Sequence, residues 1–134
     1  PPVILKMNAR ELAALTGGAP DAAVADVAAV RRTAIALAQA HRREVFVTLA
    51  EHGMVGASPD GTAEHVPALP LRGDIDIVGA GDAVTANLAA ALAAGASVRE
   101  AIDLASLAAS IVIHQLGTTG TASVAQLRDL HTRA

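Results

Sequence analysis

The stretch "DIDIVGAGDAV", residues 74–84, carries most of the information about how this chain folds and what chemistry it can hold. Two glycines, Gly79 and Gly81, flank Ala80; Asp82 follows at once, and an alanine-rich apolar run comes next. Glycine lets a backbone turn freely and approach a ligand closely. At a helix start several N–H groups lack intrahelical partners, and the helix dipole favours negative charge there. Two readings follow. One is an ordinary helix start, with two turn glycines and an acidic residue in the first turn. The other is an anion site, suited to a phosphate or to the charge growing on one during transfer, with a carboxylate beside it able to take a proton. The spacing is neither G-x-G-x-x-G nor G-x-x-x-x-G-K-[ST], so it is not a Rossmann or P-loop signal.

Working outward, the helix that begins at Ala80 should run to about Ala94 and stop at Gly95. Ser97 and Glu100 have capping-box spacing and open a further helix to about His114. "QLGTTGTAS" reads as a loop, and Ser123 with Gln126 starts a last short helix. On the N-terminal side, "VILK" (residues 3–6) reads as a buried strand. Asn8 and Glu11 have the spacing of a cap and its partner, opening a short helix that ends near Leu15, with Gly17 as terminator. Over residues 21–41, Val24, Val27, Ala28, Ile35, Leu37 and Ala38 recur at helical spacing, which leaves Arg31, Arg32 and Gln39 exposed. "EVFVTLA" (residues 44–50) is the clearest strand. "MVGAS" and "TAEHVPA" flank the turn signal "PDG" and predict a hairpin. Strand, helix, strand, hairpin and paired helices give an α/β class with a mixed sheet.

The 134 residues suffice for one modest domain. Hydrophobic residues make up 52% of the chain and aromatics only 1%, so the core must be built from Ala, Val, Leu and Ile. The net charge of −3 comes without a basic stripe or a stacking platform, which argues against nucleic acid as a partner. There is no cysteine, so disulfides and Cys-ligated zinc are excluded. Asn87, Arg99, Glu100 and Asp103 interrupt the apolar runs, which read as buried helices rather than membrane spans. His41, His52, His65, His114 and His131 show no ligand spacing and read as surface or loop residues. The opening "PPVILKMNARE" has no signal-peptide pattern and reads like the middle of an α/β protein, so a fragment is expected.

Asp76-Ile77-Val78-Gly79-Ala80-Gly81-Asp82 resembles the Asp-Thr-x-Gly-Ala-Gly-Asp signature of the pfkB (ribokinase-like) carbohydrate kinases. "NARELAALTG" is similar to that family's Asn-x-x-Glu segment, "VFVTLAEHGMVGAS" to its Thr-Leu-Gly-x-x-Gly strand and turn, and "EAIDLASLAASIVIHQLGTTG" to its alanine-rich helix and following loop. Four segments in order are far more specific than one glycine loop. The resemblance implies a ribokinase-like three-layer α/β sandwich, a Rossmann-like sheet with flanking helices, of which residues 1–134 are the nucleotide-binding, catalytic C-terminal part. The N-terminal sugar-binding and lid part would be absent.

The resemblance also implies roles. Asp82 would be the base, with the backbone of Gly79, Ala80, Gly81 and Asp82 as anion hole. Asn8 and Glu11 would organise Mg2+, through water, and the ATP phosphates. Read as residues alone they form a capping box, and both roles can hold at once. Thr48, Ala50 and Gly53 would form the ATP-side turn; Ser106, Ala109 and Ile113 would line the adenine. Asp76, with carbonyls such as those of Val78 and Gly117, would hold K+, although Asp76 could equally be a solvated loop residue. The implied partner is a small sugar or sugar phosphate, not nucleic acid or membrane, and the implied setting is a cytoplasmic enzyme, homodimeric at full length. The chain departs from the pattern at Ile77 (usually Thr), Val84 (usually Phe), Asn87 (often Gly) and Ala50 (usually Gly). Asn-Ala-Arg-Glu, Val84 and "LGTTGTAS" look most like the heptose 7-phosphate kinase branch. Two other readings are a non-catalytic ribokinase-like nucleotide- or sugar-binding protein and a kinase of a vitamin-like alcohol.

Overall fold

The computed structural model describes residues 3–18 and 26–134. They fall into two compact units, Pro1–Pro67 and Ala68–Ala134.

The first unit contains β1 (Leu5–Asn8), α1 (Ala9–Thr16), α2 (Val27–His41), β2 (Val45–Thr48), β3 (Met54–Ala57) and β4 (Ala63–Val66). The sheet order is β1-β2-β3-β4, with β1 parallel to β2 and the other pairs antiparallel, so the sheet is mixed as expected. A parallel pair needs a long crossover, and the segment holding α1 and α2 supplies it. Val45, Phe46 and Val47 are all fully buried, which is why β2 reads as an unbroken apolar run rather than an alternating one. Val45 and Val47 join Val55 and Ala57 of β3 beneath Val30, Ala34 and Ala38 of α2. Small residues at four-residue spacing let this helix lie close to the β-branched strand surface. Phe46 lies on the other face of β2, with Gly56 as its cross-strand neighbour. The "PDG" hairpin forms between β3 and β4; Asp60 accepts from the Thr62 N–H and hydroxyl at 2.9 and 2.7 Å.

The second unit contains α3 (Ala80–Ala93), α4 (Val98–Ile113) and α5 (Val124–Arg133). Val84, Leu88 and Ala91 of α3 form one buried stripe, and α3 packs along α4, whose buried face includes Ala101, Ile102, Ala105, Ala108 and Val112. Alanine makes up half of α3 and half of the buried face of α4, so the axes can approach closely, with Ile102, Leu107 and Val112 filling the rest of that face. Ser97 caps α4 reciprocally with Glu100, and the Ser97 N–H and hydroxyl hold the Glu100 carboxyl below the usual glutamate range. α5 rests on α4 and buries none of its residues. Among the described residues no helix is long and apolar enough to cross a membrane.

Several boundaries differ from expectation. β1 runs from Leu5 to Asn8 rather than over residues 3–6, because Leu5 to Asn8 are the residues that pair with β2. β2 ends at Thr48 rather than at residue 50, because Ala50 takes a left-handed φ of 50° that no strand accommodates. The helix expected over residues 21–41 is observed from Val27, capped by Asp26; its expected first part, Val24 included, lies outside the described residues. Its buried stripe is Val30, Ala34 and Ala38, while Ala28 is exposed; Arg31, Arg32 and Gln39 are exposed as expected.

Candidate active site

In the second unit the chain from Ile77 to Asp82 makes a turn and then a helix. The Ala80 N–H donates to the Ile77 carbonyl at 3.2 Å, and Gly79 sits at φ 84°, ψ −8°. These are the dihedrals of the third residue of a type II turn, which requires positive φ and so favours glycine. The same residue is the N-cap of α3. Gly79 is also crowded: a Cβ there would lie 2.6 Å from the Thr119 carbonyl oxygen and 3.0 Å from the Thr119 methyl carbon. Gly79 thus answers two demands at once, one of conformation and one of space.

Gly81 and Asp82 occupy the second and third positions of α3. Among the described residues, the N–H groups of Gly79, Gly81 and Asp82 meet no protein acceptor, whereas that of Ala80 is engaged by Ile77. The Asp82 carboxylate is exposed and has no hydrogen-bond partner among the described residues. Outward amides at the positive end of a helix dipole, beside an unengaged carboxylate, can hold an anion and accept a proton in one place.

Asp76 ties this turn to the loop after α4. Its Oδ1 accepts from the Val78 N–H at 3.0 Å, its Oδ2 accepts from the Gly117 N–H at 3.2 Å, and its own N–H donates to the Ile113 carbonyl at 2.7 Å. Asp76 is therefore a loop brace, not a solvated loop residue. Each of its oxygens keeps a further lone pair, and the Val78 and Gly117 carbonyls accept no protein hydrogen bond among the described residues. Oxygens of this kind suit hard cations rather than soft, thiophilic ones. His114 braces the preceding segment: its Nδ1–H donates to the Ser110 carbonyl at 2.6 Å, and its Nε2 accepts from the Arg72 N–H at 3.0 Å. Ser106, Ala109 and Ile113 are half-buried on α4 at i, i+3 and i+7, beside its buried stripe.

In the first unit Asn8 and Glu11 form the reciprocal capping box of α1. Asn8 Oδ1 accepts from the Glu11 N–H at 2.9 Å, and Glu11 Oε2 accepts from the Asn8 N–H at 2.7 Å. Both residues are exposed, and Glu11 Oε1 has no partner among the described residues. Among those residues no three His, Asp or Glu side chains gather to hold a metal.

Thr48 ends β2 with its hydroxyl donating to the Met7 carbonyl at 3.5 Å. Leu49 donates to the Gly53 carbonyl at 2.8 Å, and Gly53 returns to the Ala50 carbonyl at 3.1 Å, which closes a tight turn around the 3-10 segment Ala50–His52. His52 approaches Glu51 at 3.6 Å, and its carbonyl lies 2.7 Å from His65 Nε2. Ala50 keeps the left-handed backbone that a glycine would take there, at a cost of about 1–2 kcal/mol. Glycine loses about 0.5–1 kcal/mol more on ordering. Ala50→Gly is therefore expected to raise stability by about 0.5–1 kcal/mol, read as a higher denaturant midpoint. An unchanged or lower midpoint would show that the turn is relaxed as it stands.

The sequence did not single out Gln115 or Thr119. Gln115 Nε2 donates to the Thr121 carbonyl at 2.7 Å, and the Thr121 N–H donates back to Gln115 Oε1 at 2.9 Å. The only advance signal was the pair of glycines, Gly117 and Gly120, that frame the loop.

The pattern of the pfkB family carbohydrate kinases matches residues 2–125. The bifunctional protein HldE of Paramagnetospirillum magneticum is 41% identical over 115 residues, covering 86% of this chain and 23% of that protein. HldE of Pseudomonas fluorescens is 39% identical over the same length and coverage. The chain thus spans about a quarter of the curated relatives it matches. Phosphofructokinase-2 from Escherichia coli, in complex with potassium, superposes with a TM-score of 0.82 at 24% identity, covering 97% of this chain and 40% of that one. Ribokinase of Arabidopsis thaliana, complexed with ribose and ATP, does so with 0.79 at 26% identity, covering 95% and 40%. The fold is ribokinase-like. With its glycine turn, its ordered segments and a family match across nearly its whole length, the chain belongs to the pfkB family of carbohydrate kinases.

Proposed function

We propose that this chain forms the nucleotide-side and catalytic part of a kinase that moves the ATP γ-phosphoryl group to a hydroxyl of a sugar phosphate. The observation that carries the reading is the start of α3, where three unengaged amides stand beside the free Asp82 carboxylate. Asp82 accepts the proton of the acceptor hydroxyl as its oxygen bonds to the γ-phosphorus. The bond from that phosphorus to the ADP oxygen breaks, and ADP leaves with the electron pair. The N–H groups of Gly79, Gly81 and Asp82 face the transferred group and stabilise its equatorial oxygens. Ala80 keeps its N–H on Ile77 and contributes shape rather than a donor.

Asn8 and Glu11 serve the phosphates, Glu11 through its remaining oxygen. Mg2+, when bound there through water, neutralises phosphate charge. Thr48, Ala50 and Gly53 shape the turn on the phosphate side, and Ser106, Ala109 and Ile113 offer the half-buried stripe for the base. Asp76 with the Val78 and Gly117 carbonyls is the place for K+.

The acceptor we favour is a heptose 7-phosphate, supported by the identity to the HldE relatives. Apart from Asp82, the contacts that select the acceptor lie outside residues 1–134 in this reading, which extends to a cytoplasmic homodimer at full length. The test is a panel of heptose 7-phosphate, fructose 6-phosphate and ribose with ATP and the full-length protein. ADP release dependent on heptose 7-phosphate is expected. Turnover of ribose or fructose 6-phosphate alone would overturn the acceptor, and turnover of none would overturn the kinase reading.

A further inference from the structure

The loop between α4 and α5 is held at both ends and touches the glycine turn in the middle. At one end Asp76 Oδ2 accepts from the Gly117 N–H. At the other, the Gln115 amide grips the Thr121 backbone by donating to its carbonyl and accepting from its N–H, which closes residues 116–120 into a bound arc. Gly120 lies inside this grip: a Cβ there would sit 3.2 Å from Gln115 Oε1 and 3.0 Å from the Val112 Cγ1 methyl carbon. Thr119, next in the arc, presses its carbonyl against Gly79 so closely that no Cβ fits. Gly79 in turn sets the direction in which the first amides of α3 point.

We propose that Gln115 is a positioning residue: by clamping Thr121 it seats Thr119 against Gly79 and so fixes the phosphoryl-facing amides of Gly81 and Asp82. The proposal rests on the phosphoryl-transfer reading for its consequence in rate, but not for the coupling itself. Both halves of the side chain matter. Gln115→Met keeps the length and loses both hydrogen bonds. Gln115→Glu keeps the acceptor for the Thr121 N–H and loses the donor to its carbonyl. Small displacements of reacting groups have large kinetic effects, so Gln115→Met should lower kcat per folded enzyme about tenfold or more. KM for ATP and for the acceptor should stay within about twofold, and Gln115→Glu, which sets a carboxylate oxygen against the Thr121 carbonyl in place of a donor, should lower kcat as well.

The experiment pairs steady-state kinetics with amide hydrogen exchange on the full-length protein. In Gln115→Met, exchange should quicken both in residues 116–121 and at the hydrogen-bonded Val78 and Ala80 amides of the glycine turn. Quickening confined to 116–121 would overturn the coupling, and an unchanged kcat per folded enzyme would overturn its catalytic consequence. If the unaltered protein phosphorylates none of the sugars, the kinase reading fails by itself, while the exchange at Val78 and Ala80 still decides whether Gln115 positions the glycine turn.

Discussion

Asp82→Asn in the full-length protein is expected to lower kcat for ATP-dependent sugar phosphorylation by about 10²–10⁴-fold, the usual contribution of a positioned general base. The variant is nearly isosteric, and Asp82 makes no hydrogen bond within the protein among the described residues. Stability should therefore change little, apart from the favourable first-turn charge, worth about 0.3–1 kcal/mol. KM for ATP should stay close to that of the unaltered protein, because the N–H groups that face the phosphate are untouched. Undiminished phosphorylation of every acceptor tested would remove Asp82 from the mechanism.

Gly79→Ala should harm both fold and rate. A side chain at φ 84° costs about 1–2 kcal/mol, and forcing a Cβ against the Thr119 carbonyl adds an overpacking cost of about 1–3 kcal/mol. The sum, about 2–5 kcal/mol, should appear in denaturant unfolding. A matched control exists in the same unit. Gly73 has φ 83°, yet a Cβ on it would meet nothing within 4 Å. Gly73→Ala carries the conformational cost without the collision, so the difference between the two variants isolates the contact with Thr119. If Gly79→Ala proves no worse than Gly73→Ala, that contact is loose. Where Gly79→Ala stays folded, turning the first amides of α3 away from the phosphoryl group should lower kcat by about 10²–10³, as loss of an anion-hole donor does.

The features legible in advance were those written in neighbouring residues. All three capping boxes, Asn8 with Glu11, Ser97 with Glu100 and Ser123 with Gln126, form reciprocally, because each needs only a few consecutive residues. The "PDG" hairpin and the helix following Gly79 are local in the same sense. Three things were hidden. Ala50 carries a left-handed backbone that alanine gives no reason to expect, so the strand was read too far. The stripe of α2 was legible only in part: Ala38 is buried and Val27, Ile35 and Leu37 pack against the core, but Val30 and Ala34 were missed, because alanines surround that helix and leave little periodic contrast. The bracing of the glycine turn joins residues far apart in sequence: Asp76 reaches a Gly117 that is 41 positions away, and no spacing rule announces such a contact. The capping box was legible in both its uses: it closes a helix end and, among the described residues, leaves Glu11 Oε1 without a partner for the ligand role proposed above.

That double use has a thermodynamic consequence. A glutamate side chain free in solution samples many rotamers, and immobilising such a chain on binding costs about 0.5–1.5 kcal/mol. In Glu11 the hydrogen bond from the Asn8 N–H to Oε2 has already selected one conformation during folding. Any group that engages Oε1 meets a preorganised carboxylate, and the entropy of ordering it weighs on the stability of α1 instead of on the affinity for the ligand.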